Sequence, residues 1–409
     1  MNKAFRNTLR DIFNDGGLLI FIFLVPFVYP LIYAFIYTGE AVREVPIAVV
    51  DAAQSPASRD YLRRLEATPD VAIFSHDASL AEAEARIEHQ EAHGILYLPE
   101  DFEQRIARGE QAVVRVYCDM AGMLYYKALL SAATNVALDM GRAIKVERAH
   151  LSTARQEEVA AQPLEYEEVA LFNPQSGFAS FLLPAVLLLI IQQTLALSAG
   201  LEAGTRLERQ LRTHKLRTVG LDKEALFAQA EASSTSLRPV NYHVSRRAWR
   251  ALTGRTAAFF LIYIPVVVYL LGVVPRLFSL PQLGAAFDLL LFATPYLLAC
   301  VLLAISVAAL VRSRESIILL VVFSSVPLMF LSGVSWPMSA FSWFWKMVAS
   351  FFPSTHGIMG YVRLNSMGAS LADVQAEWFW LWGLCLLYGL TAWWATRCNE
   401  MLKNSLRAL

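Results

Sequence analysis

Apolar positions along this chain gather into long runs without charge, set apart by one large polar block and one basic stretch. Gly17 to Tyr37 is the first run, with no charged residue and enough length to cross a bilayer's hydrocarbon core as a helix. Pro26 and Pro30 predict a kink within it. It is longer than the apolar part of a secretion signal and lacks a small-residue cleavage site, which predicts an uncleaved anchor. A second run spans Phe178 to Ala199. Four more follow at Ala257 to Val274, Ala285 to Val311, Ile317 to Val334 and Trp378 to Ala395. Six crossings are therefore expected.

Between the first two runs the pattern changes. Pro46 to Asp51, Val71 to Phe74, Gly94 to Leu98 and Val113 to Tyr117 read as short buried strands. Helical periodicity falls between them at Ser58 to Ala67, Ser79 to Gln90 and Asp101 to Arg108. A longer helix is predicted from Met123 to Leu151. Ser79 and Glu82 have the spacing of a capping box. Such alternation predicts an α/β domain with a parallel or mixed sheet. The predicted fold class is thus an α-helical integral membrane protein of six transmembrane helices with an inserted α/β extracytoplasmic domain.

Residues 1–16 carry Phe5, Leu9, Ile12 and Phe13 at helical spacing, with Lys3, Arg6 and Arg10 mostly on other faces. They read as an amphipathic helix at a membrane surface, or as the polar flank of the first crossing. The remaining divisions are 17–38, the first crossing; 39–175, the polar domain; 176–200, the second crossing; 201–254, a basic cytoplasmic region; 255–397, four further crossings; and 398–409, a tail. In 201–254, helices are expected at Arg206 to Leu216 and Lys223 to Ala232. Within 255–397, the aromatic stretch 336–363 is broken by Pro337, Pro353 and Gly357. It is expected to dip into the membrane against protein, because irregular backbone facing lipid is forbidden there.

Composition agrees: 56% of residues are hydrophobic and 17% charged. A net charge of zero hides a separation. Gly39 to Gln175 holds 13 Lys+Arg against 23 Asp+Glu, or −10, and Leu201 to Gly254 holds 10 against 5, or +5. The basic loops fall on one side of six crossings, so both termini are expected in the cytoplasm and the acidic domain outside. The four cysteines show neither metal-ligand spacing nor a disulfide framework, and no cofactor or nucleic-acid partner is expected.

Several stretches resemble the type-2 ABC exporter permease family. They are Gly94-Ile-Leu-Tyr-Leu-Pro-Glu-Asp-Phe102 with Arg108-Gly-Glu110; Phe172-Asn173-Pro174 before a crossing that contains Pro184; Leu201-Glu202-Ala203-Gly204-Thr205; and Leu331-Ser332-Gly333 with Pro337 and Pro353. The order is right and covers nearly the whole chain. Two features depart from the family pattern: Glu202-Ala203 replaces the usual Glu-Arg-Glu, and the cytoplasmic loop is longer, with its surplus between about Leu211 and Arg246.

The resemblance implies an ATP-driven exporter working by alternating access. A separate ABC ATPase subunit would supply the energy, since the 409 residues hold no Gly-x-x-x-x-Gly-Lys-Ser/Thr loop. It also implies a second permease half, identical or related, contact with membrane lipid, and, as the family's example of an outside partner, a periplasmic membrane-fusion adaptor. Glu202, Gly204, Thr205 and Arg206 would couple to the ATPase, with Gly204 turning the chain and Thr205 capping the next helix; the bland reading is a capped helix end. Gln192, Gln193 and Thr194 either line a path or bond between helices, and Phe330 and Ser332 are further path candidates. Trp336, Phe341 and Phe344 form either an exit gate or an interfacial belt.

Asp288, the one acid within a run, is either functional or a solvated helix end. Ser354-Thr355-His356 invites a hydrolase reading, but adjacency does not make a nucleophile and base. His76, His89 and His93 read as surface residues. The competing class is a non-transporting receptor or scaffold whose outside domain binds a ligand or partner.

Overall fold

The computed structural model describes residues 2–37, 42–120, 122–149, 171–173, 177–218, 241–311 and 313–408. Contacts divide the chain into two compact units: Met1–Glu40 with Ala170–Leu409, and Ala41–Val169.

The smaller unit is built on a four-stranded sheet of order β2-β1-β3-β4, with β1 Val45–Asp51, β2 Val71–His76, β3 Gly94–Leu98 and β4 Arg115–Cys118. β1 pairs parallel to both β2 and β3, and β3 pairs antiparallel to β4, so the sheet is mixed. Ile47, Val49, Leu96 and Leu98 point to one face, where helices Pro56–Glu66 and Met123–Ala149 bury them with Tyr61, Leu65 and Leu129. Ala48, Val50 and Ile95 point to the other, covered by helix Leu80–Glu88. Apolar residues on both faces of β1 are what a doubly covered strand requires.

Two details differ from the pattern read in the sequence. Ser79 accepts from the Glu82 N–H at 3.3 Å, but the Glu82 carboxylate accepts from Ala78, one residue before the box position. The full box stands instead at Ser55 and Ser58, where a serine replaces the usual Glu/Gln. β4 also begins two residues late, because Val113 and Val114 precede the register that pairs Arg115 with Tyr97.

Among the described residues of the larger unit, five helices are long and apolar enough to cross a membrane: Gly16–Ile36, Phe178–Arg209, Ser245–Leu277, Ala286–Leu310 and Arg314–Leu331, here spans 1 to 5. The C-terminal helix Gln375–Ala408 is uncharged from Trp378 to Thr396, yet Trp378, Trp380, Trp382, Trp393 and Trp394 lower its mean hydropathy. Span 2 is the central member, with 83% of its most apolar window buried against 22% for span 1 and 17% for span 5.

Proline leaves its mark where the pattern predicts. Span 1 carries a π turn, Ile20–Leu24, just before Pro26, and span 3 has another at Tyr269–Val273 before Pro275. A wider turn absorbs the backbone acceptors that a missing N–H leaves open. Tyr269 stacks on Phe27, and its hydroxyl donates to the Phe27 carbonyl at 2.9 Å.

The helix that holds span 2 runs without a break from Phe178 to Thr218. The turn expected at Gly204 is absent, and the helix predicted from Arg206 is simply its continuation. Its 41 residues make a rod about 60 Å long, twice the thickness of a hydrocarbon core. A Cβ on Gly200 would lie 2.2 Å from Ile317 Cγ1, and one on Gly204 would lie 3.1 Å from Arg314 Cγ. These glycines let the start of span 5 approach the rod closely; they do not bend it. The helix predicted at Lys223 to Ala232 lies outside the described residues.

Span 5 ends at Gly333, whose φ of +83° is the left-handed stop that favours glycine. The chain then makes a hairpin of two short helices, Trp343–Ser350 and Pro353–Tyr361. Pro353 sits at the first helical position, where its missing N–H costs nothing. The second helix is buried along most of its length against spans 2 and 4 and the C-terminal helix.

Candidate functional site

Acidic and basic side chains from five segments meet at the basic end of the larger unit. Glu202, an acid well inside an apolar helix, has its side chain fully shielded from solvent. Burial of a carboxylate demands a partner, and it has two. Arg255 of span 3 donates to Oε2 at 2.7 Å. Arg206, one turn along the same helix, puts Nε 2.5 Å from Oε1 as an ion pair without hydrogen-bond alignment.

Arg206 also reaches Asp11 at 3.0 Å and the Thr8 hydroxyl at 3.0 Å, both on the N-terminal helix Asn2–Phe13. Arg209 donates to the same Asp11 at 3.1 Å. On the apolar face of the N-terminal helix, Ile12 is buried in the main core and Leu9 packs against it, while Phe13 is exposed.

Asp15 completes the cluster. It accepts from the N–H groups of Gly17 and Leu18, capping span 1, and pairs with Arg314 at 3.1 Å. Arg314 opens span 5, where a cation opposes the helix dipole, so the Asp15 carboxylate offsets an unfavourable end charge. Thr205 donates to Asp15 at 3.3 Å and back to the Leu201 carbonyl at 3.0 Å. It sits mid-helix and caps nothing. Three carboxylates and four guanidiniums thus tie the N-terminal helix and spans 1, 2, 3 and 5 into one electrostatic unit.

Gln192 sits further along span 2 and is buried. Its Oε1 accepts from the backbone N–H of Ser354 at 2.8 Å, capping the second hairpin helix from outside. Gln193 Nε2 is buried without a hydrogen-bond partner. Thr194 donates to its own helix at Ile190, 2.7 Å away, and Ser332 donates to Met329 at 2.6 Å. Both are buried. Phe330, Trp336 and Phe344 are exposed and Phe341 is half-buried. Phe344 meets Trp345 edge-on, and among the described residues no ring pair joins Trp336, Phe341 and Phe344.

Asp288 accepts from the Leu371 N–H at 3.3 Å as part of a loop contact. His356 faces the Ser350 carbonyl at 3.1 Å and stacks on Trp380, and Ser354 Oγ has no partner. The adjacent Ser354 and His356 therefore do not form a nucleophile–base pair. In the smaller unit His93 stacks parallel to Tyr125 with ring centres 4.0 Å apart.

A family model described as ABC-2 family transporter protein matches residues 17–394, nearly the whole chain. The chain belongs to that family. No curated protein matches it. As an ABC-2 permease it is a multi-pass membrane subunit of an ABC transporter, and membership implies an ABC ATPase partner and a permease partner. Members are generally non-catalytic.

Sequence reasoning picked out Glu202 and Arg206 of the permease but missed Asp11, Asp15, Arg255 and Arg314. Their partners lie tens to hundreds of residues away, so no local spacing reveals them. A signal existed. An acid inside a largely apolar helix needs cations, and Asp15 before Gly16-Gly17 has the form of an N-cap.

Proposed function

We propose that this permease is half of an ATP-driven exporter, moving its substrate out of the cytoplasm or inner membrane by alternating access. In this reading six helices cross the membrane, the sixth being Gln375–Ala408. Both termini are cytoplasmic and the unit Ala41–Val169 is extracytoplasmic. The charged cluster lies at the cytoplasmic end, and the hairpin Trp343–Tyr361 enters the membrane from the opposite side. A periplasmic adaptor would meet the extracytoplasmic unit.

The observation that carries the reading is the pair of contacts on one unbroken helix. Glu202 and Arg206 bind it into the charged cluster, while Gln192 holds the hairpin. Motion imposed by the ATPase at one end therefore reaches the hairpin through rigid backbone. Glu202 and Arg206, with Gly204 and Thr205 at the contact with Asp15 and Arg314, transmit that motion and do not face the ATPase; the exposed Arg246, Arg247 and Arg250 are the docking cations.

Span 5 leaves Leu319, Val322, Phe323, Val326 and Phe330 exposed as one helical stripe, which suits the second permease half. The path would run between the halves past Phe330, with Gln193, Thr194 and Ser332 uncovered as the hairpin releases Gln192. Trp336, Phe341 and Phe344 would close its outer end.

Reconstitution with the cognate ATPase tests this. Glu202→Gln is expected to keep ATP turnover and lose export; unchanged export removes the coupling role. Single cysteines placed at Arg63 and Arg209 in a cysteine-free chain should react from opposite sides of the membrane, and labelling from one side overturns the topology.

A further inference from the structure

Spans 3 and 4 and the C-terminal helix enclose a groove of about 530 Å³, within the size range of small-molecule sites. Its walls are apolar, with Leu252, Phe260, Leu261, Leu298 and Leu302 among them, and Gly389 leaves one side open. Leu261 and Trp249 are half exposed along it. The groove is distinct from the charged cluster, the hairpin and the open stripe of span 5.

One end of the groove is polar in a specific way. Trp249 lines it, and its ring lies 6.0 Å from that of Trp393. The Arg397 guanidinium sits over the Trp393 ring at 5.5 Å. Among the described residues Arg397 has no carboxylate in ion-pair range, and its Nε is buried without a hydrogen-bond partner. The same holds for the indole Nε1 of Trp393 and for Thr256 Oγ1 within the groove. Buried donors are ordinarily satisfied. Here the Arg397 cation, unpaired among the described residues, stands one ring beyond Trp249 at the end of an apolar slot.

We propose that this groove is a binding site for an anionic phospholipid of the surrounding membrane. One acyl chain fills the slot, and the phosphate pairs with the Arg397 guanidinium. The chemistry explains both ends at once. A chain matches the apolar walls, and a phosphate supplies the negative charge and acceptor oxygens that the unpaired guanidinium lacks. Stacking on Trp393 holds the guanidinium in place. Trp249 and Trp393 are residues that favour the headgroup level, so the slot runs from there toward the membrane centre. The site depends on membrane embedding alone and not on the direction of transport.

Native mass spectrometry of the full-length permease in detergent, with phosphatidylglycerol or phosphatidylcholine added, tests the site. The expected result is preferential retention of phosphatidylglycerol. Arg397→Gln should weaken that retention about fivefold, the effect of one basic residue at an anionic surface, and Arg397→Lys should largely restore it. Gly389→Leu is a second variant. The nearest side-chain atom to an added Cβ there is 3.9 Å away, so the substitution fills the slot without a clash at its first carbon. It should abolish retention of both lipids in a chain whose thermal unfolding is unchanged. Equal retention of the two lipids by the unmodified chain, or full preference persisting in Arg397→Gln, overturns the proposal. Undiminished binding to Gly389→Leu does the same.

Discussion

The Oε1 of Gln192 on the central helix accepts the N–H of Ser354, 162 residues later in the sequence, at 2.8 Å. Both residues are buried. A helix starting inside an apolar core leaves backbone donors with no water to turn to, so a side chain from elsewhere must receive one. The hairpin helix Pro353–Tyr361 is therefore not autonomous. Replacing Gln192 by Leu should lower stability by about 1 kcal/mol, the usual worth of such a bond between membrane helices. Thermal unfolding in detergent reads the change, and an unaltered midpoint would show that the cap is dispensable.

Glu202 is expected to be worth more, because it is enclosed between Arg206 and Arg255. Glu202→Ala leaves Arg255 without a carboxylate and Arg206 with Asp11 alone, and should cost about 3 to 5 kcal/mol. Removing Arg255 as well, in Glu202→Leu with Arg255→Met, should recover part of that loss. A double-mutant cycle on unfolding free energies checks it, and strictly additive losses would mean the two residues do not interact.

Gly200 faces Ile317, with room for no side chain between them. Gly200→Ala should push the helices apart at a cost of about 1 to 3 kcal/mol, and Ile317→Ala in the same chain should relieve it. Stability equal to the unmodified chain in Gly200→Ala alone would place the fifth helix elsewhere.

In the smaller unit, a hydrogen bond from Arg64 holds the Asp60 carboxyl below its ordinary value against the opposing effect of burial, and a bond from Arg63 adds a lesser part. A lowered folded-state value means that the stabilisation is present at neutral pH, above the unfolded value of 3.8, and fades as pH falls through the folded value. Asp60→Asn should therefore unfold more readily than the unmodified chain at pH 7, with the gap closing as pH falls below 3.8. Proteolysis of this unit as a function of pH measures it, and a gap that does not vary with pH would deny the ion pair its role.

Much of this architecture is legible in the residues themselves. Long uncharged runs mark the spans, and β-branched clusters such as Ile47-Ala-Val-Val50 mark strands, because both patterns follow from one chain segment meeting one environment. Gly204 misled for an instructive reason. A glycine beside Thr205 reads locally as a turn, yet here glycine serves a neighbouring helix by presenting no side chain to Arg314. Asp15, Arg314 and the Gln192 cap were hidden for a related reason: each is defined by a partner distant in sequence. Thr194 and Ser332, path candidates by type, also bond to carbonyls of their own helices.

The tight crossing at Gly200 acts as a fulcrum with unequal arms. From Gly200 the rod extends about 27 Å to Thr218 on one side and about 12 Å to Gln192 on the other. Tilting about that crossing would move the hairpin roughly half as far as the projecting tip. Such gearing trades travel for force, which suits breaking a buried hydrogen bond more than opening a wide gap.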